Sequence, residues 1–344
     1  MKKILIPMTV MIAAIAVTIT TSCSKAPSTA SPNSQTNGPS APLKKVVVNE
    51  ALRTILYLPL YHGIEEGFFR DAGLDVQVVT GGTATAAFAA MLSGEADFAQ
   101  ADPMYVPISR EKGGETKVIA QVVARIAVWG VTMEKNVTDM SAKTLSGKKI
   151  STHPQPMTAW TYTVKTIKDV GLEPDKDVQI IPGQPGTEIA PLLSGQSDFA
   201  MTLEPNVSKA VQQGAHIVLS YPKILGDQIF TGLMTREKYI VENRDLVVAV
   251  VRAYQRAMND IRKRPEAAIA SAKKYFPQLN EAVIRAAIQR MIDEDVLPKS
   301  VLVSEESWKK AIDVRVAIGD LKTPTPRSEN CTVQIMETAA KGTP

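Results

Sequence analysis

Two arginines stand where loops are predicted to follow strands, and both suit the binding of an anion. Arg53 comes just after the first predicted strand, and its guanidinium can give two parallel hydrogen bonds to a sulfonate or carboxylate. Arg125 is a second candidate, near a segment predicted to cross between two halves of the molecule. Helix N-termini carry free N–H groups and partial positive charge, so several of them pointing inward would strengthen such a site. This chemistry is the binding of a small anion.

Acidic and aromatic residues in the same loops keep a second kind of ligand open. Asp102 and Glu204 each precede a proline at a predicted helix start, and as ligand groups they would oppose an anion and favour an amine. Tyr57, Tyr61 and Trp160 can stack on a flat molecule such as a pyrimidine, or simply wall the core. Small residues at other helix starts can cap the helix, contact the ligand, or do both. The full predicted ligand set is Arg53, Tyr57, Tyr61, Gly82, Thr83, Asp102, Arg125, Thr158, Trp160, Thr187 and Glu204.

The pattern LSGxxDFA occurs twice, at residues 92–99 and 193–200. Each copy predicts a helix that ends at Leu-Ser, a glycine in the left-handed conformation, and a strand that begins near the aspartate. A helix-to-strand corner used twice indicates two similar α/β halves. Two halves have a cleft between them, and the loops at the carboxyl ends of their strands would line it.

Strands and helices alternate in the same order through both halves, which predicts mostly parallel sheets with right-handed crossovers. Two apolar runs, residues 126–133 and 229–235, are predicted to cross between the halves, so that the second is inserted into the first. Residues 237–319 have helical periodicity and are expected to pack on the first half. The predicted divisions are a signal peptide at 1–22, a flexible tether at 23–43, a first lobe of 44–130 and 231–319, a second lobe of 131–230, and an irregular tail at 320–344.

The N-terminus is typical of an exported lipoprotein. Lys2 and Lys3 precede an apolar run of about 16 residues, which is shorter than the roughly 20 that a bilayer span needs. The run ends before Thr-Thr-Ser-Cys, which predicts lipidation at Cys23, although Thr20 stands where such signals usually carry an apolar residue. Simple secretion is the alternative. The location predicted is extracytoplasmic, in the periplasm or at the cell surface, with the chain anchored in the membrane through Cys23.

Charge and cysteine content exclude several other classes. The net charge of +4 is too small for a nucleic-acid surface, and no basic stripe with interleaved aromatics appears. Only Cys23 and Cys331 are present, so there is no disulfide framework. The three histidines, His62, His153 and His216, have no ligand spacing. We therefore expect no metal, no cofactor and no catalytic residue, and we expect a monomer.

Five short motifs together resemble a known family: LPLY at 58–61, EGFF at 66–69, AGLDV at 72–76, GGT at 81–83 and GEADFA at 94–99. They are similar to motifs of the SsuA/THI5-like solute-binding proteins, the nitrate, sulfonate, taurine and thiamine-precursor class with the type II periplasmic-binding-protein fold. The resemblance covers residues 46–317. It implies an α/β protein of two lobes, each a mostly parallel sheet flanked by helices, with a helical C-terminal part.

The resemblance also implies a function, which is to capture a small solute for an ABC importer and deliver it to the transmembrane permease. The solute does not follow from it: the helix ends and Arg53 favour a sulfonate, taurine or nitrate-like anion, whereas the aromatics favour a pyrimidine or another flat heterocycle. Two other functions stay open on the same fold, a ligand sensor and an enzyme. Against the enzyme, no Ser-His-Asp spacing or phosphate loop stands out.

Overall fold

Ten strands form two five-stranded sheets in the part of the chain described by the computed structural model, residues 42–155 and 157–341. The predicted signal peptide, Cys23 and nearly all of the predicted tether lie outside the described residues. The strands are β1 (Lys44–Glu50), β2 (Leu74–Thr80), β3 (Phe98–Ala101), β4 (Thr116–Arg125), β5 (Trp129–Thr132), β6 (Lys149–Thr152), β7 (Gln179–Pro182), β8 (Phe199–Thr202), β9 (His216–Ser220) and β10 (Asp227–Arg236).

The two sheets have the same topology. The first has the order β2-β1-β3-β10-β4 and the second β7-β6-β8-β5-β9. In the first sheet β1 pairs in parallel with β2 and β3, while β10 is antiparallel to both of its neighbours. In the second sheet β6 pairs in parallel with β7 and β8, and β5 is the antiparallel strand. The predicted α/β fold class with mostly parallel sheets is therefore confirmed.

Helices connect the strands and cover the sheets. A short 3-10 helix (Ile55–Tyr57) follows β1. The α-helices are α1 (Leu58–Glu65), α2 (Phe68–Asp71), α3 (Ala84–Ser93), α4 (Tyr105–Arg110), α5 (Ala142–Leu145), α6 (Thr158–Asp169), α7 (Ala190–Leu193), α8 (Asn206–Gln212), α9 (Tyr221–Leu225), α10 (Glu237–Glu242), α11 (Arg244–Lys263), α12 (Pro265–Tyr275), α13 (Glu281–Asp293), α14 (Glu305–Ala317), α15 (Arg327–Asn330) and α16 (Val333–Ala340). None of the helices in the described residues combines the length and the apolar character that a membrane crossing requires.

The chain leaves the first sheet after β4 and returns to it with β10. Each antiparallel strand is thus the first strand that the chain forms after it changes sheets. The two apolar runs predicted to cross do so, but the strand bounds differ by a few residues from the predicted lobe boundaries. Residues 129–130 belong to the second sheet, and residues 227–230 belong to the first.

The repeated LSGxxDFA corners have equivalent roles in the two sheets. Gly94 and Gly195 have φ angles of 89° and 74°, a left-handed conformation that glycine adopts without a Cβ clash. Asp97 Oδ2 accepts the N–H of Val47 at 2.8 Å, and Asp198 Oδ2 accepts the N–H of Lys149 at 2.8 Å. Each corner therefore fixes the strand that follows it, β3 or β8, beside β1 or β6.

The antiparallel strand is tied to the same corner in each sheet. The hydroxyl of Thr235 in β10 donates to the carbonyl of Asp97 at 2.7 Å, and the hydroxyl of Thr132 in β5 donates to the carbonyl of Asp198 at 2.8 Å. One local motif thus sets three neighbouring strands in register, which explains why it recurs wherever the chain builds such a sheet.

The prediction of an irregular tail at residues 320–344 is wrong for much of that segment. Helices α15 and α16 form there, and Ile335, Met336 and Ala339 are fully buried. The N–H of Thr332 donates to the carbonyl of Val118 in β4 at 2.9 Å. The segment covers the outer edge of β4, where unpaired backbone groups would otherwise be exposed. An isolated four-residue helix and a cap without a side-chain hydrogen bond leave little local signal for this in the sequence.

Candidate functional site

A pocket lies where loops and helices following strands of both sheets meet. Its walls come from the segment after β3, from α6 after β6, from the start of β10, and from α14, and its cavity volume is about 20 Å³ in this conformation. We call it the intersheet pocket. Its polar lining side chains are Asp102, Thr158, Thr161, Tyr162, Gln228 and Arg315. Apolar side chains, among them Met104 and Phe230, line the remainder.

The only opposite charges that line the intersheet pocket, among the described residues, are bonded to each other. Arg315 Nη2 donates to Asp102 Oδ2, and Arg315 Nη1 donates to Asp320 Oδ2 at 2.7 Å. The charge of Asp102 raises the pKa of Arg315 despite burial, so the guanidinium stays protonated. Asp102 Oδ1 accepts the N–H of Met104 at 2.9 Å, but α4 begins at Tyr105 with Met104 at its N-cap position, so the prediction that Asp102 caps this helix is wrong.

Hydroxyl groups of α6 face an amide group of β10 in the pocket lining. Gln228 Nε2 donates to the hydroxyl of Tyr162 at 2.8 Å, and burial raises the pKa of Tyr162 strongly. Thr158 is the first residue of α6 and does not cap it, because Met157 holds the N-cap position and no side chain there accepts a hydrogen bond. The prediction that Thr158 caps this helix is wrong, and its side chain lines the pocket instead.

Arg53 belongs to a different cluster. Its Nε donates to Glu50 at 2.6 Å and its Nη2 donates to Thr80 at 3.3 Å. Glu50 is fully buried and also accepts from the hydroxyls of Tyr61 and Thr80. The guanidinium lies over the rings of Tyr61 and Tyr275, 5.3 and 5.7 Å from their centroids. Burial opposes the charge of Arg53, but the bond to Glu50 raises its pKa.

The predicted aromatic residues are mostly closed to a ligand. Tyr61 is fully buried and stacks on Tyr275 with ring centroids 4.5 Å apart. Tyr57 is 5% exposed, and burial raises its pKa strongly. Trp160 is half-buried and packs against the core of the second sheet. None of the three lines the intersheet pocket.

Glu204 lies outside the lining of the intersheet pocket and connects the segment after β8 to α13 and to the segment after β1. It is 1% exposed, and its Oε1 accepts Arg290 Nε from α13 at 2.7 Å. Its Oε2 accepts the N–H of Ser208 in the first turn of α8 at 3.0 Å, but Pro205 holds the N-cap position, so the prediction that Glu204 is the cap residue is wrong. Its carbonyl accepts the hydroxyl of Thr54, which follows β1, at 3.2 Å. Burial raises the pKa of Glu204, and the charge of Arg290 opposes that rise.

Arg125 is the last residue of β4, where the chain leaves the first sheet for the second, and it holds the neighbouring segments together. Its Nε donates to Asp227 at the start of β10 at 2.9 Å, and its Nη1 donates to the carbonyls of Glu294 and Pro222 at 3.1 and 3.4 Å. These bonds tie both crossing segments to the end of α13. Arg125 does not line the intersheet pocket.

The remaining predicted positions are exposed loop residues. Thr83 caps α3 by accepting the N–H of Ala86 at 3.1 Å, and Gly82 precedes it with a φ of 82°. Thr187 donates to the carbonyl of Gln184 at 2.8 Å, and the helix predicted to start there begins at Ala190. Of the predicted set, the structure brings Asp102 and Thr158 together in the intersheet pocket, and the others are not part of its lining.

Sequence patterns did not predict several charged residues that lie near these strand ends. Arg315 lies in α14 and Arg290 in α13. The helical periodicity of these two segments predicted only that they pack on the first half, not that either arginine forms an ion pair near the strand ends. His153 and Glu188 form a buried pair in the second sheet, with Nε2 and Oε1 3.2 Å apart. Burial opposes ionisation of Glu188, but its hydrogen bonds, of which that from His153 is the strongest, lower its pKa to about 2. No group of three metal-ligating side chains occurs among residues 42–155 and 157–341.

The two sheets have equal topology, the chain forms an antiparallel strand each time it changes sheets, and loops of both sheets face one pocket, as in the type II periplasmic-binding-protein fold. The chain belongs to the NMT1/THI5-like family, whose model matches residues 56–268.

Known proteins similar to the chain include binding proteins and an enzyme. The binding protein YtlA of Bacillus subtilis (strain 168) is 25% identical over 304 residues, 86% of this chain and 90% of YtlA. The periplasmic aliphatic sulphonate binding protein SsuA of Escherichia coli has a TM-score of 0.66 at 15% identity, over 83% of this chain and 91% of SsuA. The periplasmic nitrate-binding protein NrtA of Synechocystis PCC 6803 has a TM-score of 0.68 at 14% identity, over 87% of this chain and 89% of NrtA. The desulfurization enzyme DSZB also has this fold, with a TM-score of 0.63 at 13% identity, over 86% of this chain and 98% of DSZB.

Proposed function

We propose that this protein is the extracytoplasmic solute-binding lipoprotein of an ABC importer, and that it holds a small anion of the sulfonate, taurine or nitrate type in the intersheet pocket. The observation that carries the proposal is the pocket itself, because its walls come from segments that follow strands of both sheets. A solute bound there touches both halves at once, and only such a solute shifts the balance between an open and a closed form.

The charges around the pocket do not favour an amine. Each buried acid near the strand ends already has a cationic partner: Glu50 has Arg53, Asp102 has Arg315, and Glu204 has Arg290. These carboxylates therefore have little unbalanced charge to offer an ammonium ion. The burial of Tyr57 and Tyr61 removes most of the support for a flat heterocycle, which stays the alternative solute.

We propose that closure moves a first lobe of residues 44–130 and 231–319 against a second lobe of residues 131–230. The strand bounds shift these divisions slightly, since residues 129–130 lie in the second sheet and residues 227–230 in the first. The crossing segments would act as the hinge. The bond from Thr54 to Glu204 already joins the loops after β1 and β8, so we expect the permease to recognise the surface formed when these loops meet.

Native mass spectrometry of the purified protein tests the binding function directly, since a tightly held solute often survives purification. Thr158→Trp places a large side chain in the pocket and is expected to abolish retention of the solute. Thr338→Trp, on the exposed face of α16, is the matched control and should retain it. A solute that persists in Thr158→Trp at wild-type occupancy would place the binding site elsewhere.

Arg53→Ala distinguishes whether Arg53 balances the charge of Glu50 or contacts the ligand. Its guanidinium lies outside the pocket lining and balances the fully buried Glu50. We expect its loss to destabilise the fold by about 3 kcal/mol, because a buried carboxylate is left without its cation. Affinity should change by less than tenfold, as measured by calorimetry. A tenfold loss of affinity at unchanged stability would instead establish Arg53 as a ligand contact.

Membrane attachment and transport need their own tests. Cys23→Ala should move the protein from the membrane fraction to the soluble extracytoplasmic fraction, and an unchanged distribution would contradict lipidation. Capture of ABC permease subunits with the wild-type protein would support an importer. Capture of a membrane receptor and no permease would favour a ligand sensor. Turnover of the bound solute by the purified protein would favour an enzyme.

A further inference from the structure

Helix α13 is bonded to the second half of the molecule, which contains the second sheet, at both of its ends. At the first end, Asn280 Nδ2 donates to Oε1 of Gln212, the last residue of α8, at 2.8 Å. At the other end, Glu294 Oε2 accepts Nε1 of Trp129 at 2.8 Å and the hydroxyl of Ser220 at 2.5 Å. Trp129 begins β5 and Ser220 ends β9, so both ends of α13 reach the second half.

The body of α13 connects the second half to the first. Arg290 binds Glu204, which follows β8, at 2.7 Å, and α13 packs on α8 in a shared apolar core. Arg285 pairs with Glu266 of α12, which belongs to the first half. Each of these contacts joins one protein group to another. The bridge that α13 forms between the halves therefore needs no solute to complete it.

The two ends of α13 differ in their distance from the segments where the chain crosses between the sheets. The carbonyl of Glu294 accepts Arg125 Nη1, from the last residue of β4, at 3.1 Å, so this end lies at the crossing. Asn280 lies at the opposite end of the helix, about 20 Å away at a rise of about 1.5 Å per residue. A rotation of the halves by about 10° around the crossing would move that end by about 3–4 Å and would break its hydrogen bond.

The bonds also differ in strength along the helix. Gln212 and Asn280 are exposed neutral amides, and their hydrogen bond competes with water. Glu204 and Glu294 are 1% and 6% exposed, and hydrogen bonds to a carboxylate are stronger than those between neutral groups. Separation of the halves therefore begins most easily at Asn280, where the bond is weakest and the displacement is largest.

We propose that α13 is a clasp that holds the two halves closed on each other when no solute is bound, with Glu294 as its pivot and the bond between Gln212 and Asn280 as its point of release. The clasp goes beyond the proposed function, because it sets the resting conformation of the protein and applies to any solute. A solute then enters only through the fraction of molecules in which the clasp has opened.

Distances between two spin labels test the clasp without any solute. Glu95→Cys and Gln196→Cys place one label on each half, at exposed and equivalent positions of the two LSGxxDFA corners. Cys23→Ala leaves Cys331, which is buried, as the one native cysteine. Unfolding in urea, dialysis and refolding remove solute that has co-purified. We expect most of the solute-free protein to show the label distance of the structure described above.

Gln212→Ala removes the bond at the point of release and should increase the population with a longer label distance at least threefold. Gln213→Ala, at the neighbouring exposed position, is the matched control and should leave the distances unchanged. Asn280→Ser breaks the same bond from the other side, because serine keeps the helix cap and removes the amide, and it should act like Gln212→Ala. Thermal melting of the three variants checks that they fold.

Two results would overturn the clasp. One is a longer label distance in most of the solute-free protein, which would mean that the halves rest apart. The other is the same distribution of distances in Gln212→Ala, Asn280→Ser and Gln213→Ala, which would mean that the release point does not control opening. Both results leave the binding function standing, since no solute takes part in the measurement and native mass spectrometry tests that function separately.

Discussion

Asp97 and Asp198 accept a backbone N–H from β1 and from β6 respectively, at 2.8 Å in both cases. Both also donate their own N–H to the carbonyl of the same residue, Val47 or Lys149, at 3.0 and 2.9 Å. Burial opposes the charge of Asp198, but the N–H of Lys149 and the ammonium of Lys148 lower its pKa. Two positions a hundred residues apart in the sequence therefore do the same work, which makes their energetic equivalence testable.

Asp97→Ala and Asp198→Ala should each destabilise the protein by about 1–3 kcal/mol, because each removes a charged acceptor from a backbone N–H, which is partly buried at Val47 and exposed at Lys149. Urea unfolding measures both. Asp169→Ala, which removes a carboxylate from an exposed pair on α6, is the control and should change stability by less than about 0.5 kcal/mol. A large effect at one corner and none at the other would contradict the equivalence.

Glu188 predicts a dependence of stability on pH. Its pKa is about 2 in the folded protein, below the value of about 4.3 for an unperturbed glutamate. The stabilisation is therefore fully present above about pH 4.3 and is lost as the pH falls toward 2. We expect Glu188→Gln to be destabilised by about 2–3 kcal/mol at pH 6, with a difference that shrinks as the pH falls to 3.

Urea unfolding across this pH range measures the effect of Glu188→Gln. Glu306→Gln removes an exposed carboxylate on α14 and serves as the control, with little difference from the wild type at either pH. A difference between Glu188→Gln and the wild type that stays constant with pH would show that the bonds of Glu188 contribute equally in its charged and neutral forms.

At the scale of elements, the last helix completes the first sheet. Helix α16 packs against α11, and the residues just before it bond to β4, the edge strand. Residues 296–301 cover the same edge, since the N–H groups of Gln121 and Ala124 donate to Val301 and Val296. An edge strand left open would present unpaired backbone groups to other chains.

Ile335→Ala tests how firmly α16 is docked. The side chain is fully buried, so its truncation should destabilise the protein by about 2–5 kcal/mol. Glu337→Ala on the exposed face of the same helix is the matched control. Thermal and urea unfolding give the size of the effect, and light scattering shows whether the loosened edge promotes association. Equal stability of the two variants would mean that α16 contributes little.

At the scale of the whole molecule, α13 connects the two sheets through Arg290 and Glu204. Arg290→Met leaves a fully buried carboxylate without its cation, and we expect a loss of about 3–5 kcal/mol in the free energy of unfolding. Arg285→Met removes a half-exposed arginine from the same helix and should have little effect. Small-angle scattering should show a larger radius for Arg290→Met, and an unchanged radius would mean that other contacts hold the sheets together.

The sequence predicted the architecture well because the signals for it are local. The repeated corner, the helix caps and the order of strands each depend on residues close together in the chain, and the corner motif occurs in both sheets. The pocket could be predicted only in part. Asp102 carries a local signal as a helix start, but its partner Arg315 comes from α14, and no short pattern predicts that contact. The docking of α16 on β4 is equally non-local.

The insertion of one sheet into the other also fixes an order of assembly. Strand β3 ends at Ala101, and its neighbour β10 begins only at Asp227, after every strand of the second sheet has been made. As the ribosome extends the chain from its amino end, the second sheet therefore has all its strands available before the first has its own. We infer that the second sheet can fold first, as a unit. The first sheet can be completed only after β10 and the carboxyl-terminal residues that cover the edge of β4 have been synthesised.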